Sequence, residues 1–85
     1  MLQKAAKLKS PEIVKDQIQD KTSELTPAER QLTDVLLTDY PMAGLQSITK
    51  LAEAANVSTP TVIRLARKLG YDGFPELQQA LRDEA

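Results

Sequence analysis

The chain reads as an all-α domain, a compact bundle of about five helices. Aliphatic residues recur at helical spacing in one segment after another. Prolines and capping residues stand where those segments would open. No segment alternates polar and apolar residues with period two for long enough to form a strand. With 85 residues and 41% hydrophobic side chains, the chain can build one modest core rather than two domains. Tyr40, Tyr71 and Phe74 are its only aromatics, so that core must be aliphatic, which suits packed helices.

Residues 1–9 are basic and weakly patterned and read as a flexible N-terminal segment, leaving 10–85 as the helical domain. Ser10-Pro11-Glu12 reads as a helix opening, with a cap hydroxyl, a proline in the first turn and an acid near the positive helix end. Ile13, Val14, Gln17, Ile18 and Lys21 give this short helix a thin stripe. It cannot be stable alone and needs a neighbour, in its own domain or in a second subunit. Thr26-Pro27-Ala28-Glu29 is a stronger opening: Thr26 caps, Pro27 takes the first helical position, and Glu29 stands where a capping box needs its carboxylate. Leu32, Val35, Leu36 and Asp39/Tyr40 continue at helical spacing until Tyr40-Pro41 ends the helix. Met42 to Gln46 reads as a loop containing Gly44.

Ser47 opens a short helix whose Ile48, Leu51, Ala52 and Ala55 share a face. After Asn56-Val57, Ser58 caps a further helix running from about Thr59 to Leu69, with Pro60 in its first turn. Val62, Leu65, Ala66 and Leu69 form its buried stripe, and Gly70 stops it. Asp72-Gly73 is a turn, and Phe74-Pro75-Glu76 begins a last helix with Leu77, Ala80 and Leu81 facing inward. The chain passes from Gly70 to this helix with no room for a β-hairpin wing.

Composition removes several function classes. With no cysteine and no histidine there is no disulfide frame, no thiolate metal site, and neither the commonest metal ligand nor the usual general base. No glycine-rich phosphate loop is present, so an enzyme is not expected and no cofactor is implied. No apolar run approaches the roughly 18 residues of a membrane span, and no secretory signal is visible, so a cytoplasmic protein is expected. The net charge of −1 is unevenly spread. Residues 1–46 hold six basic and seven acidic side chains. Residues 47–71 hold Lys50, Arg64, Arg67 and Lys68 against Glu53 alone, and 72–85 hold Arg82 against Asp72, Glu76, Asp83 and Glu84. Asp83 and Glu84 read as solvated tail charges. An acidic chain with a basic centre can still meet a polyanion, because the field at the contact face decides.

Residues 47–70 have the pattern of a helix-turn-helix in its wingless, homeodomain-like form. Two closely crossing helices need a small residue at the contact, and Ala52 supplies it. The turn needs a residue that tolerates positive φ, and after glycine Asn56 is the next best choice. Val57 plugs the core behind the turn, while Val62 and Leu65 seat the second helix on the first. A basic outer helix face is most often merely solvated, but this turn favours a helix that enters the major groove of duplex DNA. Thr59, Pro60 and Ile63 lie along one edge, Thr61, Arg64 and Lys68 along another, with Arg67 between. Arg64 is the first choice for a bidentate bond to guanine. Thr59 and Thr61 suit a base bond or a thymine methyl, and Arg67 and Lys68 suit phosphates. Ser47, Thr49 and Lys50 would hold a phosphate at the start of the first helix. Ser58 reads chiefly as a cap that still allows a phosphate contact. Pro60 is structural, and Ile63 either packs or touches a base, with packing preferred.

Leu25-Thr26-Pro27-Ala28-Glu29-Arg30, Ser47-Ile48, Leu51 to Ala55, Val57-Ser58, Thr61-Val62, Arg64 and the run Leu69-Gly70-Tyr71-Asp72-Gly73-Phe74-Pro75-Glu76-Leu77 together resemble the N-terminal domain of the RpiR family of bacterial transcription regulators. The resemblance covers about residues 13 to 82, and the closing run is its most specific part. The family usually has glycine at the turn, where this chain has Asn56. The resemblance implies a sequence-specific duplex-DNA-binding domain that acts as a homodimer or higher oligomer on palindromic operators. The genes implied are those of sugar or amino-sugar metabolism. It also implies a C-terminal sugar isomerase domain, absent from these residues, that senses a phosphosugar effector, and a helix at 11–22 that helps dimerise. The rival reading is a helical protein-interaction or dimerisation module, which the acidic total and Ile63 favour slightly.

Overall fold

The computed structural model describes residues 13–85, so the reading of 1–9 as flexible and of Ser10-Pro11-Glu12 as a helix opening lies outside the described residues. Five α-helices follow in order: α1 (Ile13–Lys21), α2 (Pro27–Thr38), α3 (Ile48–Ala55), α4 (Thr59–Lys68) and α5 (Phe74–Glu84). Single 3-10 turns at Thr22–Glu24 and Met42–Leu45 join the first three, and no strand occurs among the described residues.

The caps predicted for α2 and α3 and the stops predicted after α3 and α4 form as expected. The capping box at α2 is complete: the Glu29 amide donates to Thr26 Oγ1 at 3.2 Å, and the Thr26 amide donates to Glu29 Oε1 at 2.9 Å. Ser47 Oγ accepts the Lys50 amide at 3.2 Å and caps α3. Asn56 adopts the left-handed conformation at φ 58° and ψ 45°. Its amide donates to Glu53 O at 3.1 Å and the Val57 amide to Ala52 O at 2.9 Å, the two bonds of a Schellman ending. The same pair recurs at the end of α4, where Gly70, at φ 103°, donates to Arg67 O and Tyr71 to Ala66 O, both at 3.0 Å. The turn of the helix-turn-helix and the stop after it are therefore one device used twice, once with asparagine and once with glycine.

All five helices contribute to a single core, mainly aliphatic, which also holds Phe74 of α5. Leu32 and Leu36 of α2, Leu51 and Ala52 of α3, Val62, Leu65 and Ala66 of α4, and Leu77 and Leu81 of α5 are all buried in it. Val14 and Ile18 bring α1 into the same cluster, so its neighbour is its own domain. Val57 packs on the cluster half-buried, as a plug behind the turn.

Two sequence expectations are corrected. Within the segment Met42 to Gln46 that read as a loop, Met42–Leu45 forms a 3-10 turn, closed by Ala43 N to Asp39 O at 2.8 Å and Gly44 N to Pro41 O at 3.2 Å. Gln78 of α5 pins it, donating to Gln46 O at 2.8 Å and to Gly44 O at 3.3 Å. Glu84 is not a solvated tail charge. Its Oε2 accepts the Val14 amide at 3.0 Å, and its Oε1 accepts the Tyr40 hydroxyl, which in turn accepts the Lys15 amide at 3.0 Å. A carboxylate at the end of α5 thus accepts one backbone donor at the start of α1 directly and holds the Tyr40 hydroxyl that accepts the next, where the helix dipole favours negative charge.

Candidate nucleic-acid interface

α4 meets α3 across the Asn56 turn and also packs on α2 and α5. Its inner side is Thr61, Val62, Leu65 and Ala66. On the opposite side Pro60, Ile63, Arg64 and Arg67, spaced i, i+3, i+4, i+7, are exposed. Thr59 stands half-buried at the N-terminal edge. Ile63 is 37% exposed, so it is only partly packed. Arg67 Nε donates to Asp72 O at 3.2 Å, which steadies the guanidinium on its inner nitrogen. At the start of α3, Ser47, Thr49 and Lys50 are exposed together. Among the described residues the Lys50 side chain has no ion pair or hydrogen bond.

Three of the sequence-selected residues are placed differently from the sequence picture. Thr61 is 5% exposed and turns inward on the buried side of α4, with its hydroxyl paired to Ser58 Oγ at 3.0 Å. That bond replaces the cap expected of Ser58, whose hydroxyl makes no bond to a helix amide. The first turn of α4 is closed instead by the Ser58 carbonyl accepting the Thr61 amide at 3.0 Å. Lys68 leans away from the outer face. Its Nζ donates to Glu29 Oε1 at 2.6 Å and to Glu24 O at 2.9 Å.

Glu29 is the residue that sequence reasoning missed. It is fully buried, with Oε1 held by Thr26 and Lys68, while Oε2 lies 3.7 Å from Arg64 Nε and has no hydrogen-bond partner. Burial, the strongest single influence, raises its pKa. The Lys68 bond, the Thr26 amide and the Lys68 charge together outweigh that and hold it below the ordinary carboxylate value. Its capping-box role was visible at a separation of three residues. No local signal marks its reach to residues 35 and 39 positions further on. The basic patch therefore has a buried counter-charge beneath it. Elsewhere, burial pushes the Tyr71 hydroxyl upward, although its bond to Gln17 Oε1 at 2.6 Å acts in the other direction. A shallow hollow of about 360 Å³ is lined by Asp34, Val35, Thr38, Asp39, Ala43 and Gln46. It presents two carboxylates and no cation, the wrong sign for a polyanion. No helix among the described residues is long and apolar enough to cross a membrane.

The sequence pattern of the "helix-turn-helix domain, rpiR family" matches residues 13–85. The HTH-type transcriptional regulator HexR of Pseudomonas aeruginosa is 46% identical over 63 residues, 74% of this chain and 22% of the relative. The uncharacterized HTH-type transcriptional regulator YfhH of Escherichia coli is 41% identical over 59 residues, 69% of this chain and 21% of the relative. The bifunctional protein glk of Paraburkholderia xenovorans is 37% identical over 73 residues, 85% of this chain and 11% of the relative. The chain thus spans about a fifth or less of the length of these curated relatives. No solved structure matches it significantly.

Proposed function

This chain belongs to the rpiR family of helix-turn-helix domains, and from that premise we propose that it is the sequence-specific duplex-DNA-binding domain of a bacterial transcription regulator. The observation that carries the reading is the outer face of α4, where two arginines project opposite a fully buried stripe, directly after a left-handed Asn56 turn. An α-helix fits the major groove, and an arginine on its outer face can bond guanine O6 and N7 together.

In this reading Arg64 reads a base, and Thr59 and Ile63 approach base edges along the same helix. Arg67 contacts a phosphate. Ser47, Thr49 and Lys50 clamp a second phosphate through hydroxyls, charge and the α3 N-terminus. Ser58 borders the backbone. Thr61 and Lys68, whose polar atoms bond inside the domain, hold α4 in place. With a net charge of −1 and two of its cations facing Glu29, one copy binds weakly and with a modest salt slope. Tight binding needs a homodimer on a palindromic operator, with half-sites about one helical turn apart. The regulated genes are those of sugar or amino-sugar metabolism, the effector is a phosphosugar sensed by a C-terminal domain, and the setting is the cytoplasm.

Selection of bound duplexes from a random pool tests this reading: a recovered palindrome supports it. A second reading, a protein-interaction module, is favoured by the exposed Ile63 and by the counter-charge at Glu29. No enrichment in the pool, and no gel shift at low salt, would favour that alternative.

A further inference from the structure

We propose that Glu29 is a positioning residue for base recognition: its buried Oε2 orients the Arg64 guanidinium through Nε and so fixes which edge Arg64 offers to DNA. The inference rests on the DNA-reading function above and deepens it.

Glu29 is fully buried, yet only one of its two oxygens is satisfied. Oε1 accepts from the Thr26 amide at 2.9 Å and from Lys68 Nζ at 2.6 Å. Oε2 is buried and has no hydrogen-bond partner. The cation facing it is Arg64 Nε at 3.7 Å, too long for a hydrogen bond. Leaving a buried acceptor unpaired is costly, so a small inward shift of Arg64 is favourable.

Lys68 already balances the charge of Glu29, so Oε2 is not a bare anion that would pull Arg64 off a ligand. Arg64 side-chain exposure is 57%, which leaves its tip in solvent. An arginine bound at Nε still has its Nη1/Nη2 edge available, and that edge can make a bidentate contact with guanine. A surface arginine with no anchor samples many rotamers, and ordering it opposes binding. An anchored one presents a fixed plane, which is what discrimination between bases requires. Glu29 enters from α2, outside the helix-turn-helix itself.

The test uses the chain with its selected duplex and the single-base variants of that duplex, comparing wild type, Glu29→Gln, Arg64→Ala and the double variant. Glutamine keeps the shape and the capping acceptor but removes the charge. Wild type is expected to discriminate on the order of tenfold or more at the base pair Arg64 reads. Arg64→Ala should abolish that preference, Glu29→Gln should reduce it severalfold at the same pair only, and the double variant should match Arg64→Ala. If Glu29→Gln weakens every duplex by one common factor, or adds to Arg64→Ala in the double variant, the inference is overturned. A wild-type chain with no preferred duplex overturns the DNA reading, and this inference with it. If Glu29→Gln does not fold, exchange of the Arg64 Nε proton with water in the wild-type chain without DNA decides. Exchange slower than that of exposed Arg82 supports the anchor, and equal exchange overturns it.

Discussion

Lys68 Nζ stands 2.6 Å from Oε1 of the fully buried Glu29, joining the last turn of α4 to the first turn of α2. A charge-assisted bond to a buried carboxylate is worth more than a surface pair, because losing one partner leaves the other charge unpaired. Lys68→Met should therefore destabilise the domain by about 2 kcal/mol at neutral pH. The pKa of Glu29 is lowered in the folded chain, so its contribution is complete above the unfolded carboxylate value and is lost as pH falls through the folded one. Without Lys68 that lowering shrinks while burial still acts upward. The stability gap between wild type and variant should narrow as pH drops from neutral to about 3, the region where carboxylates protonate. Urea titrations at several pH values would check this, and a gap that stays constant would assign the loss to the packing of the lysine stem instead.

Asn56 holds a left-handed backbone at φ 58° while its side chain is exposed. The conformation is disfavoured for ordinary L-residues, tolerated by asparagine and free for glycine. Asn56→Ala should cost about 1 kcal/mol, and Asn56→Gly should be neutral or slightly stabilising. Both should shift the urea midpoint without changing the slope, since neither alters the buried surface. Equal costs for alanine and glycine would mean that the asparagine side chain, not the backbone, matters at the turn.

These two sites show what was legible in the sequence. The Thr26–Glu29 box, the Asn56 turn and the Gly70 stop are decided within five residues, and each appears as read. The apolar stripes of α2 to α5 follow from their period. What was not legible depends on which helix lies opposite. Thr61 borders the buried stripe, and only its bond to Ser58 makes its burial tolerable. Glu29 meets Arg64 and Lys68, and Glu84 meets Val14, across tens of residues, where no spacing rule operates. The Met42–Gln46 segment read as a loop, whereas Met42–Leu45 is a 3-10 turn in which α5 packs closely on Gly44.

A Cβ built on Gly44 would collide with Leu81 Cδ1 and lie 3.1 Å from Leu36 Cδ2, both belonging to fully or almost fully buried side chains. Gly44→Ala should cost about 1–3 kcal/mol through overpacking. The cost should fall in a Leu81→Val background, where one branch is shortened, giving a favourable coupling in a double-mutant cycle. Strict additivity would mean that the 3-10 turn moves away from α5 instead.

Glu84 links the two ends of the described chain through Val14 and Tyr40. Glu84→Ala should free the start of α1 without touching the helix-turn-helix. Hydrogen exchange at the Val14 amide should speed up by about tenfold, the equivalent of one hydrogen bond to a charged group. Amides of α4 should keep their protection. Faster exchange throughout α4 would show instead that α1 is required for the whole core.

Arg67 provides a test of how phosphate contacts separate from base contacts. Its Nε is tied to Asp72 O at 3.2 Å while the side chain remains exposed, a geometry that points a steadied cation outward beside Arg64. A phosphate ligand carries no sequence information but releases counterions on binding. Arg67→Ala should therefore weaken binding to all duplexes by a similar factor and lower the slope of log affinity against log salt by about one. The ranking of duplexes should be unchanged, in contrast to the loss of preference at one base pair expected for Arg64→Ala. If Arg67→Ala instead changed the ranking and left the salt slope intact, Arg67 would be the base reader. The bonded Nε would then mark an arginine held rigid for recognition, and the groove face of α4 would be centred one turn further toward its C-terminus.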